Sequence, residues 1–308
     1  MGLSSRGLKK KTMVFYHGEC LDGFTSAFVA WQKFGSKAEY YPLSHKDNSN
    51  NKIISGSNSI SVKQLSGKDI YFIDYCPSKS LADKIMAVAR NIVILDHHAC
   101  MRDVILSVPG SVFRNDESGA MIAYKYFFPK KAIPKLIKYV SIGDTWSFSK
   151  IKAREQRERN LLAYLYAINH DFDTFLQMQK QFGNKNQFKK IEEIARVLGM
   201  QSKKTVQNLL GHTRLISFNG HRIYSVNAGD AGGVDVSMLG HLLADMSGSF
   251  SICYSVSGGG LLKISMRSVI GFDVSEIARR YGGNGHKNAA GFSLCGDDAL
   301  RFLQKVIK

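Results

Sequence analysis

The stretch NIVILDHH (91–98) decides how the chain is read. Ile92 to Leu95 form a β-rich apolar run of the length of a buried strand, and it stops abruptly on Asp96, His97 and His98. Working outward, TMVFYH (12–17), AEYYPL (38–43) and KDIYFIDY (68–75) are runs of the same kind. Helical patterns lie between them, from Asp22 to about Lys33 and again after Pro77. Strands alternating with helices predict a parallel sheet covered by helices. In such a sheet, ligands gather at the carboxyl ends of the strands. His17, Asp74 and Asp96 each terminate or closely follow an apolar run and therefore belong at those ends. The polar stretch SHKDNSNNKIISGSNS (44–59) reads as a surface loop.

Beyond residue 150 the texture changes. Residues 151–212 carry helical apolar spacing without proline and read as a helical connector. The connector is basic; a solvated helix face outweighs a dedicated nucleic-acid patch as the explanation. After His212 strands return, with a hairpin signal at Asn219-Gly220 and two further strands around 258–260. Helical segments are expected near 234–245, 273–281 and 297–307. The expected architecture is α/β with two domains: a mainly parallel sheet over 1–150, the connector over 151–212, and a smaller α/β domain over 213–308.

Composition bounds the function. Of 308 residues, 44% are apolar and 22% charged, a globular balance with material for a sizeable core. No apolar run approaches the roughly 18 residues of a membrane helix, which argues against an integral membrane protein. MGLSSRGLKKKTM lacks an apolar h-region, so no secretory leader is expected. The five cysteines are odd in number, dispersed and without CxxC spacing. They argue against a disulfide framework or zinc knuckle and for a reducing, cytoplasmic location. Lys and Arg total 42 against 25 Asp and Glu, a net charge of +17. That charge favours a polyanionic partner such as nucleic acid, nucleotides or polyphosphate. No obligate protein partner is implied, and a homodimer is left open.

The chemistry-bearing residues of the first half are His17, Asp22, Asp74, Asp96, His97, His98 and Asp144. Carboxylate and imidazole together suit Mn²⁺, Fe²⁺, Co²⁺ or Zn²⁺ better than Mg²⁺ alone. Two metals sharing a carboxylate form a clamp for attack on phosphorus. One Asp after a strand is more often a turn former or helix cap. Three strand ends carrying Asp or His are less easily explained that way.

ILDHH (94–98) resembles the signature of the DHH phosphoesterases. HGECLDGFTSA (17–27), FIDYCP (72–77) and IGDTWSF (142–148) resemble further motifs of that family, in its order. SGAMIAYKYF (118–127) resembles the helix that packs behind the family's site. In the distal half, KISMRS (263–268) and YGGNGHKNAAGF (281–292) resemble a DHHA1 domain. The resemblance implies metal ligands at His17, Asp22, Asp74, His97 and Asp144, with Asp74 bridging two ions. It implies two Mn²⁺, with Mg²⁺ or Co²⁺ as alternatives. His98 would contact the scissile phosphate and Asp96 would orient a ligand histidine. Arg267 and His286, with Gly282, Gly283 and Gly285 exposing backbone N–H groups, would grip the substrate in a cleft between the domains.

One residue departs from the family pattern: Cys20 stands where the first Asp of Asp-x-Asp-Gly is expected. Cys20 ligates as a thiolate, or Glu19 supplies the carboxylate, or the first site is weak; the sequence leaves all three open. Trp146 is expected to pack, whereas Tyr75 and Phe24 are candidates for base stacking. The implied activity is metal-dependent hydrolysis of short oligonucleotides, linear dinucleotides or 3′-phosphoadenosine 5′-phosphate by metal-activated water. A polyphosphatase or pyrophosphatase, or a catalytically weak nucleic-acid-binding relative, is the alternative.

Overall fold

The computed structural model describes residues 11–18, 20–44, 48–49, 52–229, 235–257 and 259–307. The chain divides into two compact units, Met1–Glu193 and Ile194–Lys308. In order, the first unit holds β1 (Thr12–His17), α1 (Leu21–Phe34), β2 (Ala38–Leu43), β3 (Asn48–Ser49), β4 (Lys52–Ser55), β5 (Asn58–Ser61) and β6 (Asp69–Ile73). It continues with α2 (Lys79–Met86), β7 (Asn91–Asp96), α3 (Arg102–Leu106), β8 (Val112–Phe113), α4 (Gly119–Phe127), α5 (Lys135–Asp144), α6 (Lys152–Ala167) and α7 (Phe172–Gly183). The boundary falls within α8 (Lys185–Leu210).

The main sheet has the order β2-β1-β6-β7-β8, and every pairing in it is parallel. The chain steps from β1 outward to β2 and returns to β6 on the other side of β1. The switch point therefore lies between β1 and β6, where a crevice opens at the strands' carboxyl ends. Alternation along the strands supplies the core. Met13, Phe15, Ile70, Phe72, Ile92 and Ile94 share one buried cluster with Leu81 and Ile85 of α2 and Ile105 of α3. Phe15 stacks on Phe72 with ring centroids 5.1 Å apart. Each such buried ring contributes about 1.5–3 kcal/mol. Helices α1 and α4 pack over the same strands, next to β1 and β7.

Two expectations need correction. The stretch 44–59 is not simply a loop: β4 and β5 form an antiparallel hairpin in which Ile53 faces Ile60. Both are buried in the cluster beneath the main sheet. The polar residues around them hid a two-residue alternation that is apolar on only one face. The region 151–212 is helical as expected, but α6 and α7 belong to the first unit rather than linking domains. Leu161, Leu165, Phe175 and Phe182 are fully buried. Gly143 on α5 makes room for α6, since a Cβ there would lie 2.7 Å from a methyl of Leu162.

The second unit carries β9 (Arg214–Phe218), β10 (His221–Asn227), α9 (Val236–Ser247), β11 (Phe250–Val256), β12 (Leu262–Ser268), α10 (Val274–Arg280), β13 (Asn284–His286), β14 (Ala289–Leu294) and α11 (Gly296–Ile307). Its sheet runs β13-β14-β12-β11-β10-β9, with β10 and β11 parallel and the other neighbours antiparallel. Asn219 and Gly220 both take positive φ, the turn that matches hairpin twist. Among the described residues, no helix is long and apolar enough to cross a membrane.

Candidate active site

The carboxyl ends of β1, β6 and β7 bring their polar residues to one place. β1 ends on His17, and the chain turns into α1 through Cys20, whose Sγ accepts the Gly23 N–H at 3.2 Å as the helix cap. Only glycine fits at 23: a Cβ would lie 1.9 Å from the His17 carbonyl oxygen. β6 delivers Asp74, which has φ +54° and donates its N–H to the Leu95 carbonyl at 2.9 Å. A non-glycine residue in that region costs roughly 1–2 kcal/mol, so surrounding contacts must hold it.

The Asp74 carboxylate supplies those contacts. Its Oδ2 lies 3.5 Å from His17 Nδ1 and accepts from Cys20 Sγ at 3.5 Å, while its Oδ1 lies 3.1 Å from His97 Nε2. His97 Nε2 is also 3.6 Å from Asp144 Oδ2, at the end of α5. Asp22 is buried and caps α4 from a distance: its two oxygens accept the N–H groups of Gly119 at 2.7 Å and Ala120 at 3.2 Å. Asp96 Oδ1 accepts the His97 N–H and sits 2.7 Å from His98 Nδ1. Asp96 Oδ2 is buried without a hydrogen-bond partner among the described residues.

Electrostatics sorts these groups. Burial, with the charges of Asp144 and Asp74, pushes Asp22 well above the usual carboxylate range. Burial pushes Asp74 the same way, but hydrogen bonds from His17 and His97 outweigh it and hold Asp74 well below that range. For His97 burial opposes protonation, yet the Asp144 charge and the bond to Asp74 raise it well above an ordinary imidazole. Burial and then the charges of Asp74, Asp22 and Asp144 push the Cys20 thiol far up. Carboxylates packed this closely, two of them buried and Asp144 reaching solvent, make a site that favours cations. Three donor groups in this unit converge here, His17–Cys20–Asp74, Asp22–His97–Asp144 and Asp74–Asp96–His97–His98, each with ligand atoms within 4.8 Å of one another. The donor set and the unpaired Asp96 oxygen fit divalent metal binding.

All eight first-half residues singled out from sequence, Cys20 included, thus lie in one cluster. Glu19, the alternative carboxylate, lies outside the described residues. Two stacking candidates are corrected. Tyr75 is 2% exposed in the core beneath the sheet, and Phe24 packs against His170, Phe172 and Phe175. Trp146 packs on Phe148 and under the Arg159 guanidinium. Sequence reasoning missed Gly119. A Cβ there would lie 2.5 Å from Asp74 Cβ and 3.0 Å from Asp22 Oδ2, so a hydrogen is all that the site admits. The signal was Ser118-Gly119 ahead of an apolar helix, with Ser118 capping the Met121 N–H.

In the second unit, Arg267 on β12 donates to Ser237 Oγ at 2.7 Å, the Met266 carbonyl at 2.8 Å and Ser265 Oγ at 3.0 Å. The glycine loop differs from expectation. Gly282 and Gly283 donate their N–H groups to the carbonyls of Arg279 and Ala278, closing α10, and the Gly285 N–H bonds to Asn284 Oδ1. These glycines serve chain geometry: Gly282 and Gly285 take positive φ, and a Cβ on Gly283 would strike the Gly291 carbonyl. His286 lies beside them on β13, half-buried.

Residues 222–308 match the DHHA1 domain. An uncharacterized protein, R106, of Acanthamoeba polyphaga mimivirus is 27% identical over 318 residues, covering 96% of this chain and 70% of that protein. The oligoribonuclease NrnB of Bacillus subtilis (strain 168) is 24% identical over 200 residues, 62% of this chain and 47% of that protein. This chain therefore matches less than half the length of the Bacillus enzyme. Among solved structures, an exopolyphosphatase-related protein from Bacteroides fragilis shares the fold at 15% identity and a TM-score of 0.51, covering 96% of this chain and 91% of that one. Residues 222–308 are therefore a DHHA1 domain, and with the Asp-His-His end of β7 beside the sheet's switch point the chain resembles the DHH phosphoesterases.

Proposed function

We propose that this chain is a divalent-metal-dependent phosphodiesterase or phosphatase hydrolysing short oligonucleotides, linear dinucleotides or 3′-phosphoadenosine 5′-phosphate in the cytoplasm. The observation that carries the reading is the meeting of buried Asp22, Asp74 and His97 with the more exposed Asp144 and His17 at the switch point. The likeness to an oligoribonuclease favours a nucleic-acid substrate. His17, Cys20 and Asp74 would hold one ion and Asp22, His97 and Asp144 another, Mn²⁺ being the first choice. When bound, such ions supply positive charge at a phosphoryl group and a water of lowered pKa.

The chain's own residues do the rest. Asp96 Oδ1 fixes the proton of His98 on Nδ1 and orients its ring. Burial opposes charge on His98, but Asp96 outweighs it and raises its pKa, so His98 suits contact with an anionic phosphate oxygen. Asp74, held ionised by two histidines, keeps its carboxylate available as an acceptor. Arg267 and His286 are assigned to phosphate binding through their side chains, since the neighbouring glycine N–H groups are engaged within the fold.

The test is hydrolysis of dinucleotides, 5-mers, 3′-phosphoadenosine 5′-phosphate and polyphosphate with Mn²⁺, Mg²⁺ or Co²⁺. Metal-stimulated cleavage of the nucleotide substrates is expected. Turnover of polyphosphate alone, or salt-sensitive oligonucleotide binding without turnover under any metal, would overturn the assignment.

A further inference from the structure

Of the carboxylates in the donor group Asp22–His97–Asp144 and its neighbour Asp74, Asp144 is held differently. Asp22 accepts two N–H groups and Asp74 is bonded to His97, whereas Asp144 Oδ2 lies 3.6 Å from His97 Nε2, beyond hydrogen-bond length. The place of Asp144 therefore follows its backbone. It is the last residue of α5, where a helix frays unless its end is closed. An aspartate in that turn also opposes the helix dipole. The end of α5 needs support from outside.

Helix α6 gives that support on both sides of Asp144. Before it, Gly143 lies against Leu162 with no room for a Cβ. After it, the Ser147 N–H donates to the Ile142 carbonyl at 3.0 Å, a closure that turns on one left-handed residue, usually glycine. Here that residue is Trp146, with φ +54°. A bulky side chain is strained in this conformation and persists there only when its surroundings hold it. Arg159 of α6 does so. Its guanidinium carbon lies 4.7 Å from the centre of the Trp146 ring and 4.0 Å from that of Phe148, and the two rings meet edge to face. Arg159 Nε donates to Glu155 at 2.9 Å, while its Nη1 is buried without a hydrogen-bond partner among the described residues. The guanidinium thus forgoes a hydrogen bond where it lies over the two rings. The same loop is tied to α6 once more, by the Ser149 N–H donating to buried Glu158 at 2.8 Å.

We infer that Trp146 and Arg159 are positioning residues for Asp144: their contact fixes the end of α5 and so sets how strongly the group Asp22–His97–Asp144 holds a divalent ion. The inference rests on the proposed metal-dependent reading, and neither residue is assigned a contact with ion or substrate. The experiment titrates Mn²⁺ into the metal-free full chain by calorimetry and records the melting temperature in chelator. Trp146→Gly is the informative variant, because glycine takes positive φ without strain and still closes the helix. Relief of that strain offsets the lost packing, so the melting temperature is expected to change little. Mn²⁺ affinity should nevertheless fall roughly ten- to hundredfold at one of the two ions, as it does when a residue supporting a ligand is removed. Trp146→Phe keeps a ring beneath the guanidinium and should recover most of the loss. Arg159→Lys keeps the charge opposite Glu155 but not the planar face, and should reproduce it. Asp144→Ala marks complete loss of that ion.

Wild-type Mn²⁺ binding in Trp146→Gly, beside lost binding in Asp144→Ala, would overturn the positioning role and leave the metal reading standing. A loss spread over both ions and matched by a lower melting temperature would make Trp146 ordinary packing, and would overturn it equally. Loss confined to one ion in Trp146→Gly and Arg159→Lys, in a chain whose wild type hydrolyses no phosphoester, would remove the proposed activity and uphold the positioning role.

Discussion

At Asp74 one carboxylate meets His17, His97 and Cys20 from a left-handed backbone position. Removing it takes away the acceptor common to these groups. Asp74→Ala is expected to reduce metal-stimulated hydrolysis to background while the circular dichroism spectrum stays native. Activity within a few-fold of wild type would sink the two-metal reading. Cys20 is the second residue where a substitution is informative, because it has two separable duties. Its Sγ caps α1, and it stands in the donor group with His17 and Asp74. Serine is a good helix cap, so Cys20→Ser preserves the first duty and tests the second. The serine variant is expected to bind metal more weakly and to lose peroxide sensitivity, while Cys20→Asp shifts preference toward Mn²⁺. Equal metal stoichiometry and peroxide sensitivity in wild type and Cys20→Ser would leave only the cap.

At the scale of the element, α4 is the part that the site cannot do without. Its first two N–H groups bond to Asp22, and its first residue touches Asp74 through a missing side chain. Gly119→Ala is therefore expected to cost about 1–3 kcal/mol through overpacking. It should also displace both carboxylates, so that metal affinity measured by calorimetry falls further than the melting temperature implies. Unchanged affinity would show that α4 backs the site without shaping it. The same element shows what the sequence made legible. β1 and β7 begin and end where their apolar runs do, because buried parallel strands read as continuous apolar stretches. The Asp and His residues at those ends were legible for the same reason, as polar interruptions with no place in a core. Gly119 was not, since its role is set by a side chain 45 residues earlier. The β4–β5 hairpin was hidden because Ile53 and Ile60 are embedded in asparagine and serine. The loop at 282–285 showed its glycines but not their hydrogen-bond partners, and the α10 carbonyls took what an anion was expected to receive.

The whole molecule combines a net charge of +17 with a cluster rich in carboxylate. The charge favours polyanions, and the donor set of the cluster favours cations. Binding of any nucleic-acid substrate should weaken steeply with salt. Arg267→Ala in the second unit is expected to raise KM for oligonucleotides at least tenfold without changing metal stoichiometry. Arg267→Lys should recover little, since an ammonium cannot reproduce the guanidinium fork bonded to Ser237 and Ser265. A KM unaltered by Arg267→Ala would remove that residue from substrate binding. The bond from Asp22 to Gly119 spans 97 residues, and the proposed ligands run from His17 to Asp144. No short peptide of this chain can therefore capture an ion as the donor groups do. During synthesis the amino-terminal members of the proposed ligand set leave the ribosome long before α4 and α5 exist, and on that proposal they would stay metal-free or loosely loaded until α5 has emerged. Under the proposed ligand set, ion acquisition would be tied to completion of the first unit, and a nascent chain halted before Asp144 would be recognisable by its inability to retain metal.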